Sequence, residues 1–417
     1  MKMGLTRETG NNIMDVVSGV FMEYRKIRKE EFTALRKIHS LVYFMKYDEE
    51  KTDTYPGADE NRWTYGYGAF DKDGKIQAVL EAVPFESYLD GHIVGSPGIA
   101  GVATLLEKRR SGHVRKLLEL AFNDMHEKGD VMSYLYPFSH DYYRKFGYSQ
   151  ACTGIVVTTD IENIVTSEHK GYTKQYFPED KFNELKKVYD AFSSQFNCSV
   201  ARKDWRWKRE FSTNPYKSDT RVFIRYNMDN EPIAYLKMKT KEVAEYTYDM
   251  IVSECAWAGT EGLLGLISII NAYQGDLRKV KLELPAGTPV SLIVKEVWET
   301  EVRTRFTGMN RIMDATKALE LIKKPEKPGG AVIELLDKNC RWNTGRWLVE
   351  WQDGKCSVEK TVHEPDIRCA APEFSQLVIG KYSFDKMVEL NTVDVLKNAN
   401  ILRELFIDKP CFIWDRF

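Results

Sequence analysis

The sequence predicts an α/β (α+β) protein of two or three domains. Three observations carry this. The chain has 417 residues, more than one ordinary domain holds. Segments with apolar residues at helical spacing alternate with short β-branched and aromatic runs along the whole length. Apolar residues make up 43%, so each domain has material for its own core.

Residues 1–21 precede the first well-patterned segment, which opens at Met22, and are expected to be a loosely attached extension. Region one spans 22–155. A helix is predicted over 31–43, where Phe32, Leu35, Ile38 and Leu41 share a face. Strands follow at 65–70 and 77–85, joined by the turn Asp71-Lys-Asp-Gly74. A third strand ends at Leu106. The next helix presents Val114, Leu117, Leu118, Ala121 and Met125 on one side and stops at Gly129. A strand over 131–136, a short helix over 139–145 with Ser139 as cap, and a strand over 154–159 complete the region.

Region two, 156–303, repeats this rhythm weakly, with helices at 182–196 and 263–273 and strands at 221–226, 232–240, 246–252 and 279–284. It has no basic glycine loop. Trp205 and Trp207 are expected to serve packing. Region three, 304–417, opens at Met309–Asp314 and the helix 315–322. Strands are expected at 331–336, 343–351 and 356–361, helical pieces at 374–379 and 384–390, and a longer helix over 393–406. The aromatic end Pro410–Phe417 has enough apolar surface to dock.

Composition narrows the function. Sixty basic residues against 61 acidic ones give a net charge of -1, so no global field points to nucleic acid. The seven cysteines are odd in number and form no CxxC pair, which suits a reducing cytoplasm better than a disulfide framework. The histidines are scattered without HxH or HExxH spacing, so no metal site is expected. No apolar run approaches the roughly 20 residues of a membrane span, and residues 1–13 lack a signal-peptide layout.

Residues 102–148 concentrate the chemistry. Val102-Ala-Thr-Leu-Leu-Glu-Lys-Arg-Arg-Ser-Gly-His-Val-Arg115 reads as strand, basic glycine loop and helix start. Backbone N–H groups at a helix N-terminus point outward without partners in the chain, which makes an anion cradle. The amides from Arg110 through Ser111, Gly112 and His113 to Val114 can donate to a pyrophosphate, and Arg109 and Arg110 add charge-assisted bonds. An exposed basic turn opening a helix is the alternative. After one more strand comes Tyr142-Tyr143-Arg-Lys-Phe-Gly-Tyr148. A phosphate cradle beside a phenol is what a coenzyme A-dependent acyl transferase needs.

These residues resemble the enhanced intracellular survival (Eis) acetyltransferases of the GNAT superfamily. The resemblance rests on Arg109-Arg-Ser-Gly112 after a strand, on Tyr142-Tyr-x-x-Phe-Gly-Tyr148, on Arg311-Ile-Met313, and on a terminal phenylalanine. It covers essentially the whole chain after Met22. Val114 stands where the superfamily usually has glycine or alanine, and Ser111 where many members have a third arginine.

The resemblance implies two tandem GNAT-like domains followed by a sterol-carrier-protein-like domain, with acetyl-CoA bound only in the first. It implies a homo-hexamer, and a small-molecule amine of the aminoglycoside type as acceptor. Backbone groups of Val102 and Thr104 are the implied pantetheine contacts, pairing as an added strand would. Tyr143 is the implied general acid for the leaving thiolate, with Tyr142 the runner-up. The carboxylate of Phe417 is the implied base. Cys152, with no histidine nearby in sequence, is a poor covalent nucleophile. For a polycationic acceptor, the acidic stretch Asp48, Glu49, Glu50, Asp53, Asp59 and Glu60, with Tyr55 and Trp63, is a candidate attractor, and Asp415 is another. Polyamines and protein lysines are competing acceptors. The competing non-catalytic reading is a lipid carrier with vestigial GNAT domains.

Overall fold

The first region is a twisted sheet with a helix on each side of its central strands. We describe it from a computed structural model that covers residues 13–17, 20–47 and 62–416. Its elements are β1 (Ile13–Val17), β2 (Val20–Lys26), α1 (Phe32–Val42), β3 (Gly66–Asp71), β4 (Ile76–Val83), β5 (Glu86–Leu89), β6 (His92–Gly95), β7 (Gly98–Thr104), α2 (His113–Lys128), β8 (Met132–Leu135), α3 (His140–Arg144) and β9 (Ser149–Asp160). Residues 13–21 were expected to be loosely attached. Their described part instead forms β1 and the start of β2, paired antiparallel from Ile13–Tyr24 to Val17–Val20. The β3–β4 turn is set by Asp71, whose carboxylate accepts from the amides of Asp73 and Lys75, and by Gly74 at φ 74°.

Region two supplies β10 (Tyr172–Gln175), α4 (Asn183–Ser193), α5 (Asp204–Glu210), β11 (Thr220–Tyr226), β12 (Pro232–Ala244), β13 (Thr247–Trp257), α6 (Gly259–Asn271), β14 (Lys279–Pro285) and β15 (Glu301–Ile312). All these strands join those of region one except β5 and β6, which pair as a separate hairpin, in one sheet of thirteen, ordered β1-β2-β3-β4-β7-β8-β15-β9-β14-β13-β12-β11-β10. Two long strands fuse the halves. β9 pairs with both β14 and β15, and β15 reaches on to β8. The boundaries expected at 155/156 and 303/304 therefore fall inside strands. Met309–Ile312, expected to open region three, lie between β8 and β9. Local patterning does not reveal a strand whose partners lie some 150 residues earlier.

Region three begins with α7 (Ala315–Leu321) and continues through β16 (Gly329–Leu336), β17 (Gly345–Gln352), β18 (Lys355–Lys360), β19 (Ile367–Ala370), α8 (Ala371–Ile379), α9 (Phe384–Glu389), β20 (Asp394–Val395) and α10 (Ala399–Leu405). Its separate sheet runs β18-β17-β16-β19-β20. The expected single helix over 393–406 is broken. Val395 pairs with Ile367, the Leu396 amide donates to the Asp366 carbonyl, and Asn398 takes a left-handed φ of 51° before α10 starts.

The cores follow the apolar faces. α2 lays Leu117, Leu118, Ala121, Phe122 and Met125 on the sheet beside Tyr24, Leu80 and Leu135. Each leucine contributes about 1.5–3 kcal/mol by leaving water. Left-handed glycines bound this helix, Gly112 at its start and Gly129 at its end.

Candidate active site

The groove originates in the sheet. β7 and β8 run parallel but pair only at Gly98–Tyr134 and Ile99–Leu135. Beyond these pairs they part, leaving the rest of β7 with an open edge. β7 also bulges: Ala103 pairs with Val79 and Ala100 with Glu81, so Gly101 and Val102 together face Leu80. Gly101 has φ 57°, and a Cβ there would sit 2.6 Å from the His39 ring and 2.8 Å from the Glu81 carboxylate. The His39 Nε2 lies 2.7 Å from the Gly101 carbonyl, and the Tyr43 hydroxyl donates to the Val102 carbonyl at 2.9 Å. The bulge is thus fastened from α1 and the turn after it.

At the far end of β7 lies the basic loop. Arg110 has φ 64° and Gly112 φ 80°. A Cβ on Gly112 would meet nothing within 4 Å, so glycine is needed there for its backbone conformation and leaves the helix mouth uncovered. Arg109 and Arg110 are exposed. His113 is buried, with Nδ1 3.0 Å from the Tyr24 hydroxyl. Burial, then the Lys108 charge, holds its imidazole below the usual value. The groove encloses about 930 Å³ and is lined by Val102, Thr104 and the loop 108–115 on one side. Tyr136, Phe138, Tyr142, Tyr143 and Phe146 line the other. This volume lies within the roughly 300–1,000 Å³ of ligand sites.

α3 presents the phenols. The Ser139 hydroxyl caps it, accepting from the Tyr142 amide at 3.3 Å. Tyr143 is 3% exposed and wedged edge-on between Phe138 (5.4 Å) and Tyr142 (5.2 Å). Among the described residues its hydroxyl has no hydrogen-bond partner, although it borders the groove. Burial, reinforced by Tyr43, Tyr142 and Tyr148, raises its pKa above the ordinary phenol value. It is thus fully protonated near neutral pH. Tyr148 differs: it is wholly buried and its hydroxyl bonds the Ser133 hydroxyl at 2.7 Å.

The motif glycine has a partner distant in sequence. Gly147 has φ 84°, and its Cβ would collide with the Arg311 guanidinium. Arg311 is fully buried, donates from Nη1 to the Phe146 carbonyl, and from Nη2 to both carboxylate oxygens of Asp337 at 2.8 and 2.6 Å. Its guanidinium also sits 4.6 Å over the Phe122 ring. The Arg311 and Phe146-Gly147 motifs therefore meet in space and tie region three to the loop behind Tyr143. Sequence reading missed Asp337, which nothing local marks.

Residues 23–151 match the family described as Acetyltransferase (GNAT) domain, and 315–414 the Sterol carrier protein domain. The chain is built on a GNAT acetyltransferase domain. By that domain it is an N-acetyltransferase, and the substrate of such a domain is an acyl-CoA. A GCN5-related N-acetyltransferase from Anabaena variabilis ATCC 29413 shares the fold at TM-score 0.84 and 17% identity, over 95% of this chain and 100% of that one. A probable N-acyltransferase from Enterococcus faecalis V583 does so at 0.83 and 19%, over 95% and 99%. Eis1 from Mycobacterium abscessus does so at 0.78 and 16%, over 95% and 100%. The search of curated proteins found no match. The tandem arrangement in one long sheet fits these neighbours.

The remaining candidates separate clearly. Phe417 and the acidic stretch 48–60 lie outside the described residues, as does the Trp63 side chain. Asp415, expected as a substrate-facing carboxylate, is 1% exposed and held by Arg202, Arg206 and Tyr189, so it is closed to a substrate. Cys152 is buried in the core and does not line the groove. Trp207 is fully buried and stacks on Phe211 at 5.2 Å. The described groove lining carries Lys108, Arg109, Arg110, Arg115 and Lys145 but no carboxylate. Among the described residues no helix is long and apolar enough to cross a membrane.

Proposed function

We propose that the protein transfers acetyl from acetyl-CoA to a primary amine of a small polycationic molecule, by direct attack within a ternary complex. The observation that carries this reading is one groove holding both an anion cradle and an unpaired, protonated phenol. The α2 amides with Arg109 and Arg110 fit the pyrophosphate, where the helix dipole adds about 0.3–1 kcal/mol. The open edge of β7 at Val102 and Thr104 fits pantetheine as an added strand. Tyr143 would give its proton to the departing thiolate.

The base is the carboxylate of Phe417, as the Eis resemblance implies. In support, the Tyr136 hydroxyl, on the groove wall, donates to the Asp415 carbonyl at 2.6 Å, so the tail touches the groove two residues before Phe417. The polycationic acceptor is carried by the Eis resemblance and by the six carboxylates that the sequence holds between Asp48 and Glu60. Seven free cysteines support a cytoplasmic setting, and the Eis resemblance supports a homo-hexamer.

The test is thiol release from acetyl-CoA with aminoglycosides, polyamines and a lysine peptide, using protein with Phe417 as its last residue. Turnover greatest with an aminoglycoside is expected. Turnover with the peptide alone refutes the polycationic acceptor, and tight acetyl-CoA binding without turnover on any amine refutes the amine reading.

A further inference from the structure

The second half of the sheet opens as the first does. β13 and β14 run parallel and pair only from Met250–Val280 to Val252–Leu282. Beyond these pairs β13 continues to Trp257 and β14 to Pro285. In the first half the equivalent opening is the acyl-CoA groove. Here the chemistry is wrong for phosphate: Glu254 and Glu283 stand on the parted strands, and Glu261 lies in the first turn of α6.

The chain's own tail packs beside this opening and is linked to both parted strands. The Asn197 amide donates to the Pro410 carbonyl at 2.9 Å, and the Phe412 amide to the Asn197 carbonyl at 3.3 Å. Phe412 is fully buried against Phe192, Phe196 and Trp414. Asp415 accepts from Arg202 Nε at 2.9 and 3.0 Å and from Arg206 Nε at 2.9 Å. The other edge of Arg202 forks onto Glu254 of β13, both bonds at 2.8 Å. Arg206 Nη2 holds the Arg416 carbonyl at 2.7 Å, and Arg416 reaches Glu283 of β14 at 3.7 Å. Two guanidinium groups face two carboxylates, so the buried charge balances.

We propose that the opening between β13 and β14 is a seat for the segment Cys411–Arg416. Arg202, Arg206 and Asp415 are then positioning residues that deliver Phe417 to the groove of the first domain. This rests on the reading of Phe417 as base. The second GNAT-like half thus holds part of the catalytic machinery of the first in place. The connection is short: the Asp415 carboxylate is anchored in the seat while the carbonyl of the same residue bonds Tyr136 on the groove wall.

The experiment compares wild type, Asp415→Asn, Arg206→Lys and a deletion of Phe417. It follows hydrogen exchange at residues 411–416, acetyl-CoA Kd and kcat. Asp415→Asn should speed tail exchange and lower kcat by about 10²-fold, the scale of a 1 Å misplacement, with Kd unchanged within about twofold. Arg206→Lys, which keeps the charge, should fall between it and wild type, and carries the test if Asp415→Asn does not fold. Unchanged exchange in the folded variants overturns the seat. Faster exchange with normal kcat, while the Phe417 deletion is inactive, overturns the positioning role alone. Normal kcat in the deletion refutes Phe417 as base, and with it the delivery role, whatever the exchange shows.

Discussion

Replacing Tyr143 with phenylalanine removes one oxygen atom, and the structure sets the expected size of each consequence. That hydroxyl bonds nothing among the described residues, so no protein hydrogen bond is lost and folding stability should stay within about 0.5 kcal/mol. The ring packing against Phe138 and Tyr142 remains, and acetyl-CoA affinity should be unchanged. A general acid supplies about 10²–10⁴-fold, or roughly 2.7–5.4 kcal/mol of barrier. The variant should therefore lose kcat by that factor in the thiol-release assay. Tyr148→Phe is the internal control. It breaks the bond to Ser133 and should cost about 0.5–1.5 kcal/mol of stability in a urea titration, with kcat kept. Normal kcat in Tyr143→Phe, or loss of acetyl-CoA affinity as large as the loss of kcat, refutes the acid assignment.

Gly147→Ala places a methyl on the Arg311 guanidinium at φ 84°. Breaking that buried pair should cost about 3 kcal/mol or more, read as a lower denaturant midpoint. Gly112→Ala meets open space at φ 80°, so it should cost only about 1–2 kcal/mol of strain, while acetyl-CoA Kd rises as the helix mouth shifts. His113 is buried with its pKa lowered by burial and by Lys108. Its stabilising contribution is complete above the unfolded value near 6.5 and is lost as pH falls through the lower folded value. A urea-midpoint series should slope downward below pH 6.5 in wild type and less so in His113→Asn. Burial opposes ionisation of Asp415, but Arg202 and Arg206 outweigh it and hold its carboxyl below the usual range. The tail should stay seated through neutral and mildly acidic pH and be released only as pH drops through that depressed value, read by hydrogen exchange at 411–416.

Much of the first domain is legible locally. The face Leu117–Met125 and the glycines at 112 and 129 mark α2 within a residue of its observed ends, and Ser139 marks α3. The loop Arg109–Gly112 reads as an anion cradle because a helix start with exposed amides is a local event. The hairpin β5–β6 escaped notice, since its strands are only four residues each. β15 received no strand reading of its own: its first half, 301–306, alternates charged and apolar residues and is mostly exposed.

The sequence by itself determined most of the helices and strands of the first domain, that an anion-binding loop precedes α2, and that a phenol follows the next strand. Those features depend on side-chain periodicity and backbone conformation over a few residues, where the chain carries its own instructions. Only the tertiary structure decided that Tyr143 and not Tyr148 is left unpaired, that Arg311 and Asp337 brace the loop behind it, and that Asp415 is an anchor closed to substrate. Each of these depends on which buried polar groups find partners far along the chain, and that is settled when the sheets and domains pack.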